Sequence, residues 1–285
     1  MKYWEPKKLI KILIDSARIA LQYYDKPKKE IKEDLSVVTI ADKTIETKLA
    51  FLFDKPEEQS YMIGEETITD KAPSYLENAL KHTAWIVDPI DGTVPYANGL
   101  AYWGISIGYA EKGIIREGAI YFPITNDMYI TNRGKVYTAK INSFCNTLPE
   151  LEDFSVINRP DMKLNSYDIV VLTQNFAKRG IIDIPNPVIV LCCATASFTF
   201  TAAGKFMSYI GSSIKLWDYA AALAILKDLN FKVTFFDKSE MSLDIKLNHK
   251  LKEDSSYNLA IRDKVIVGAD EEIVNYILKA AKQPV

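Results

Sequence analysis

The chain is poor in the residues that carry most metal, redox and nucleophilic chemistry. Its 285 residues include two histidines, His82 and His249, and three cysteines, Cys145, Cys192 and Cys193. An odd number of cysteines with no C-x-x-C pair argues against a disulfide framework, so buried thiols in a reducing cytosol are expected. The histidine spacing offers nothing to a His-based zinc site or to a Ser-His-Asp hydrolase. Excess charge is also missing: 35 Lys and Arg stand against 37 Asp and Glu, a net charge of −2. That balance lacks the basic footprint of a nucleic-acid binder and the polybasic patch of a membrane binder. A small anionic ligand stays compatible, because a site needs only local charge. No apolar run approaches the roughly 20 residues that span a bilayer. The opening MKYWEPKKLIKILIDSARIA is interrupted by Lys11 and Asp15 and lacks a clean signal-peptide core and cleavage site. A cytoplasmic protein is expected.

What the sequence does hold is enough apolar material, 48% of residues, for one large core or two coupled domains. Residues 6–24 carry Leu9, Ile10, Leu13, Ala17, Ala20 and Leu21 at helical spacing, with Pro6 suited to a first turn. A second helix is expected over 41–54, stopping before Pro56. "YMIGEE" and "TAWIVD" read as strands that end in acids. From Trp103 to Ala139 the apolar period becomes two, with Lys-Gly, Pro-Ile-Thr-Asn and Asn-Arg-Gly turns, which predicts an antiparallel meander. Beyond residue 146 strands and helices alternate, with helices at about 194–203, at "LWDYAAALAILKDL" and at "DEEIVNYILKAAK". Two sheet-containing halves follow, 1–145 with α+β character and 146–285 with α/β character, joined near 140–155.

The stretch "WIVDPIDGT", Trp85 to Thr93, ends an apolar run in two carboxylates three residues apart. Carboxylates at the end of a core strand are costly unless paired or metal-bound. Glu65, Glu66, Asp88, Asp91 and Asp218 all fall at strand or helix junctions, where a rigid scaffold meets accessible backbone. Oxygen ligands without His or Cys select Mg²⁺, Mn²⁺ or Ca²⁺ over zinc. Asp88 and Asp91 could bridge two cations about 4 Å apart, the two-metal spacing. If Gly92 and Thr93 open a helix, their N–H groups face an anion. The competing use of the same residues is an Asp-Pro turn followed by an Asp cap. A haloacid-dehalogenase pattern needs its aspartates two apart, and an EF-hand needs acids at alternate positions; both fail on spacing.

Several separated motifs, in order, resemble the inositol monophosphatase family of lithium-sensitive, magnesium-dependent phosphatases. They are Thr39 with Asp42 in "TIAD", "GEE" at 64–66, "WIVDPIDGT", "YWGISIG", "ITNDMYITNRGKVYTA" and "LWDYAAALAILKDLNF". The resemblance covers most of the chain and implies a layered α-β-α-β-α sandwich with its site between the halves. It implies that Glu65, Asp88 and the Ile90 carbonyl hold one magnesium, that Asp88, Asp91 and Asp218 hold a second, and that Glu65 helps place a third. Mn²⁺ would suit the same ligands. Thr93 paired with Asp42 would orient or deprotonate the attacking water, the Gly92 and Thr93 amides would hold the phosphate, and Glu66 would support Glu65. In-line attack by metal-activated water, with no phosphoenzyme, is the implied chemistry. The implied partner is a small phosphate ester, with a homodimer possible and no nucleic-acid polymer or membrane.

The chain departs from that family on the alcohol side of the site. After "DGT" an Asn-Phe pair is replaced by Pro95-Tyr96. The family's Gly-Ser-Ala turn aligns with Cys192-Cys193-Ala194, and a Glu that binds inositol seven residues before Asp218 is Gly211 here. Ala194 and Gly211 thus occupy substrate-contact positions with altered chemistry, which weakens an inositol phosphate as substrate. A 3′(2′),5′-bisphosphate nucleotidase, a fructose-1,6-bisphosphatase and a non-catalytic binding protein remain as alternatives. Tyr96, Tyr209 or Phe206 could stack on a base, although packing is the commoner use of such aromatics.

Overall fold

The computed structural model describes residues 1–25, 27–32, 36–251 and 257–282. The first helix, α1 (Pro6–Tyr23), starts at a proline and buries Leu9, Ile10, Leu13, Ile14, Ala17 and Ala20 along one stripe. A short antiparallel hairpin follows, β1 (Lys29–Ile31) and β2 (Val37–Thr39), then α2 (Ile40–Phe53). Thr39 caps α2: its N–H donates to Asp42 at 2.9 Å and its hydroxyl donates to the same carboxylate oxygen. Beyond α2 come β3 (Ser60–Gly64), α3 (Pro73–Lys81), β4 (Thr83–Asp91) and the single-turn α4 (Thr93–Ala97). The meander comprises β5 (Gly104–Glu111), β6 (Ile114–Phe122), β7 (Asp127–Asn132) and β8 (Lys135–Lys140), and β9 (Ser155–Ile157) closes its edge. These strands make one seven-stranded sheet in sequential order β3 to β9; β3 and β4 run parallel and the others antiparallel.

The later strands and helices are β10 (Val170–Leu172), α5 (Gln174–Arg179), β11 (Ile181–Ile182), β12 (Val188–Ile189), α6 (Ala194–Ala202), β13 (Ser208–Gly211) and α7 (Leu216–Asp228). They continue with β14 (Lys232–Phe235), α8 (Ile245–Asn248), β15 (His249–Leu251), β16 (Tyr257–Ile261), β17 (Val265–Gly268), α9 (Glu271–Ala280) and β18 (Ala281–Lys282). A five-stranded sheet forms in the order β12-β10-β13-β17-β14. Helices α1 and α2 cover one face of the large sheet, α7 lies against its other face beside α6, and α9 packs on the five-stranded sheet. This is the layered α-β-α-β-α arrangement.

The layering explains two sequence features. All nine residues of β4 are buried, because both faces of its sheet are covered, so its apolar run is continuous rather than alternating. Helix α7 is apolar all round, burying Leu216, Trp217, Tyr219 to Leu226, because it lies inside the molecule between layers. Stacked aromatics strengthen the α2–β4 contact: the Phe53 and Trp85 rings lie 4.3 Å apart between centroids, and full burial of each such side chain contributes about 1.5–3 kcal/mol.

Two expectations change, and two elements had no reading in the sequence. The strand expected to stop at Asp88 continues to Asp91. Helix α3 and the β1–β2 hairpin were not legible; α3 is nine residues long, with only Leu76, Ala79 and Leu80 buried. Of the three thiols only Cys193 is buried, whereas Cys192 is exposed and Cys145 half-buried.

Candidate active site

In a regular strand, residues three apart point to opposite faces. The pairing of β4 with β5 breaks that rule at the acids: Asp88 lies opposite Ser106 and Asp91 opposite Gly104, so three steps on β4 face two on β5. The extra residue is a β-bulge, and it resets the alternation so that both carboxylates serve one site. Helix α7 brings the third acid. Asp218 sits in its first turn, accepting a hydrogen bond from the Lys215 N–H at 2.7 Å. Ligand oxygens of Asp88, Asp91 and Asp218 all lie within 4.8 Å of one another. Among the described residues, no lysine or arginine forms an ion pair with any of the three.

Each acid is held by backbone. The Ile90 N–H donates to Asp88 at 3.1 Å. Asp91 accepts from the Ala194 N–H at 3.3 Å, from the Thr195 N–H, and from the Cys193 thiol at 3.4 Å, which ties the start of α6 to the end of β4. Burial pushes every one of these carboxyls upward. Asp218 rises to about 8, through desolvation first and the Asp91 charge second. Asp88 rises well above the usual range by burial, with the Glu65, Asp91 and Asp218 charges adding to it. Asp91 rises by burial against the opposing pull of its Thr195, Cys193 and Ala194 hydrogen bonds. The Cys193 thiol is raised by burial and by the adjacent Asp91, which keeps it protonated and donating.

Glu65 follows β3, with its carboxyl raised by burial and partly offset by Lys32. Lys32 reaches from the end of β1 to Glu66 at 2.6 Å and Glu65 at 3.7 Å. Glu65 is outside the three-carboxylate cluster but lines the same cavity. Asp42 is fully buried; desolvation lifts it to about 6, and one of its oxygens has no hydrogen-bond partner. The expected Thr93–Asp42 pair is not formed. Asp42 accepts from Thr39, while the Thr93 hydroxyl donates to the Ile90 carbonyl at 3.1 Å. Gly92 adopts a left-handed φ of +87°, a conformation glycine takes without strain, and this turns the chain into α4 with the Gly92 and Thr93 backbone at the cavity.

The cavity has a volume of about 420 Å³ and is bordered by Glu65, Asp91, Gly92, Thr93, Ala194 and Asp218 among others. Gly211 is not on its wall; Ile214 is. Tyr96 and Phe206 are packing residues: Tyr96 is buried with its hydroxyl on the Ala20 carbonyl at 2.7 Å, and Phe206 belongs to the core. Tyr209 borders the cavity from a fully buried position. Asp42 does not border the cavity; the partly desolvated, all-oxygen set of Asp88, Asp91, Asp218 and the neighbouring Glu65 fits hard divalent cations of the Mg²⁺ or Mn²⁺ kind.

Two supporting residues escaped the sequence. Glu46 is buried and accepts from the Glu66 N–H at 2.9 Å and the Thr67 hydroxyl at 2.6 Å, which fixes the loop carrying Glu65. Its signal was present: Asp42 and Glu46 are four apart, on the helix face that buries Ile45 and Leu49. Lys32 had no such signal.

The chain resembles several known proteins. The model of the inositol monophosphatase family matches residues 6–282. "Nus factor SuhB" of Pasteurella multocida is 28% identical over 225 residues, 73% of this chain and 74% of that protein. "Inositol monophosphatase 1" of Xenopus laevis is 26% identical over 221 residues, 70% of this chain and 73% of that protein. A solved structure described as an IMPase/NADP phosphatase complexed with Mg²⁺ and phosphate superposes with a TM-score of 0.68 at 18% identity, covering 97% of this chain and 96% of the other.

Proposed function

The chain belongs to the inositol monophosphatase family, whose members are phosphatases, and from that premise we propose that it is a magnesium-dependent phosphomonoesterase hydrolysing a small phosphorylated metabolite. The observation that carries this is the convergence of Asp88, Asp91 and Asp218 within 4.8 Å, the first two buried and the third half-buried, with no ion pair to a lysine or arginine among the described residues. Three such carboxylates repel one another and stay ionised near neutral pH only with a cation between them. Glu65, Asp88 and the Ile90 carbonyl would hold one magnesium, and Asp88, Asp91 and Asp218 a second, with Glu65 helping a third. Bound there, the cations would supply positive charge for the phosphoryl oxygens and acidify water.

The remaining tasks fall to groups of the chain itself. The Gly92 and Thr93 N–H groups orient the phosphate at the left-handed turn. Asp42, raised to about 6 and with one oxygen unpartnered, is matched to accept a proton near neutral pH. The Thr93 hydroxyl, now on the Ile90 carbonyl at 3.1 Å, is the group that orients water once rotated toward the site. Glu66, held by Lys32, supports Glu65. Ala194 contributes its N–H to Asp91 and a small side that leaves the cavity open.

The test is phosphate release from inositol 1-phosphate, fructose 1,6-bisphosphate and 3′-phosphoadenosine 5′-phosphate, with magnesium or with chelator, and with Asp91→Asn as control. Release that needs magnesium and vanishes in the variant supports the proposal; silence on all three with intact magnesium binding sinks it. A relative named a Nus factor favours a binding role without catalysis, and that silence would be its signature.

A further inference from the structure

One stretch of the cavity wall holds groups that the phosphate chemistry does not use. Thr173, Gln174 and Asn175 at the start of α5 line it, together with Ser212, Ser213 and Ile214 between β13 and α7. Thr173 and Ser212 are committed to each other: their hydroxyls lie 3.1 Å apart and the Ser212 N–H donates to Thr173 at 3.1 Å. That pair fastens α5 to the end of β13. Gln174 and Asn175 come next on α5, exposed at the cavity, and their side-chain amides have no hydrogen bond within the chain among the described residues.

The position that carries an acidic residue in the family pattern is Gly211 here, and the end of the Ile214 side chain packs against it. A Cβ on Gly211 would stand 2.2 Å from Ile214 Cδ1, so Ile214 occupies the room a side chain at 211 would need and puts a methyl group on the wall. Among the described residues, no lysine or arginine lines the cavity. The alcohol side therefore offers amides, hydroxyls, the Cys192 thiol and aliphatic surface from Leu172 and Ile214. Amides both donate to and accept from a hydroxyl. A second phosphate would lose water there without gaining a cationic partner.

We propose that Gln174 and Asn175 are the specificity-determining residues for the leaving alcohol, and that they select an uncharged, hydroxyl-bearing alcohol over one carrying a second phosphate. The assignment rests on the phosphatase function proposed above. Because both side chains are exposed and unbonded within the chain, their truncation leaves the fold in place.

The experiment compares the full-length magnesium-loaded protein with Gln174→Ala, Asn175→Ala and the double variant on three esters. These are inositol 1-phosphate, fructose 1,6-bisphosphate and p-nitrophenyl phosphate, whose leaving group has no alcohol hydroxyls to read. Wild type should prefer inositol 1-phosphate to the bisphosphate in kcat/KM. Each single variant should lower the ratio of kcat/KM for inositol 1-phosphate to that for p-nitrophenyl phosphate by about 3- to 10-fold, the loss of one neutral hydrogen bond, carried by KM. An unchanged ratio in the double variant overturns the assignment, as does a wild-type preference for the bisphosphate. A parallel fall on both monoesters would mark a structural role and also overturns it. Silence of wild type on all three esters, p-nitrophenyl phosphate included, overturns the phosphatase function itself and this assignment with it.

Discussion

Asp88 faces Ser106 and Asp91 faces Gly104 across the β4–β5 ladder, so one extra residue lies on the strand that carries the acids. Without that residue, Asp91 would point into the opposite layer. The bulge is therefore what turns two strand residues of opposite parity into partners in one cluster.

Removing either Asp91 or Asp218 should abolish turnover without unfolding the protein. Asp91→Asn and Asp218→Asn keep acceptors for the Ala194 and Lys215 N–H groups but remove one of the three negative charges offered to a cation. A loss of about 10²-fold or more in kcat is expected, several kcal/mol of transition-state stabilisation. Steady-state kinetics at saturating magnesium with circular dichroism as fold control decide it; near wild-type turnover in either variant refutes the role.

Stability without metal should fall as pH rises. Asp218 is raised from 3.8 to about 8, and Asp88 and Glu65 are raised as well, so the folded state holds protons that the unfolded chain releases. A raised carboxyl contributes stability that is full below its unfolded pKa and is lost as pH climbs toward the folded value, here between about 4 and 8. In chelator, the melting temperature at pH 5.5 should exceed that at pH 8. Magnesium should close the gap, because binding at one hundred times Kd adds about 2.7 kcal/mol to the native state. A flat metal-free profile, or no response to magnesium at pH 8, would contradict the cluster's role.

Glu46→Ala should destabilise the fold and loosen cation binding together. The change strands the Glu66 N–H and removes the partner of the Thr67 hydroxyl, at a cost of about 2–4 kcal/mol for two buried bonds to a carboxylate. Urea unfolding measures the first effect and magnesium titration the second; Glu46→Gln, which keeps one acceptor, should lie between.

Lys32→Met should tighten magnesium binding. Lys32 competes electrostatically for Glu65 at 3.7 Å and Glu66 at 2.6 Å, and a cation close to a carboxylate opposes the arrival of another. The half-saturating magnesium concentration should drop by about 2- to 5-fold, a modest effect expected of a half-exposed pair. A rise instead would mean that Lys32 helps build the site.

Much of this was written along the chain. The stripe of α1, the two-residue period of the meander and the acids at strand ends all follow from rules that act over a few residues, so they could be read without a structure. The partner of Asp42, Thr39 rather than Thr93, could not. The same local signals named Asp88, Asp91 and Asp218. They left out what depends on neighbours distant in sequence. That Asp218 meets Asp91, that the α6 amides hold Asp91 from 103 and 104 residues away, and that Lys32 reaches Glu66 are outcomes of how the layers stack. The bulge cannot be read from the strand alone, because an extra residue is counted only against the partner strand. The same holds at Gly211: its sequence shows a missing acceptor, but only packing reveals that Ile214 has taken the space, since volume belongs to no single position in a chain.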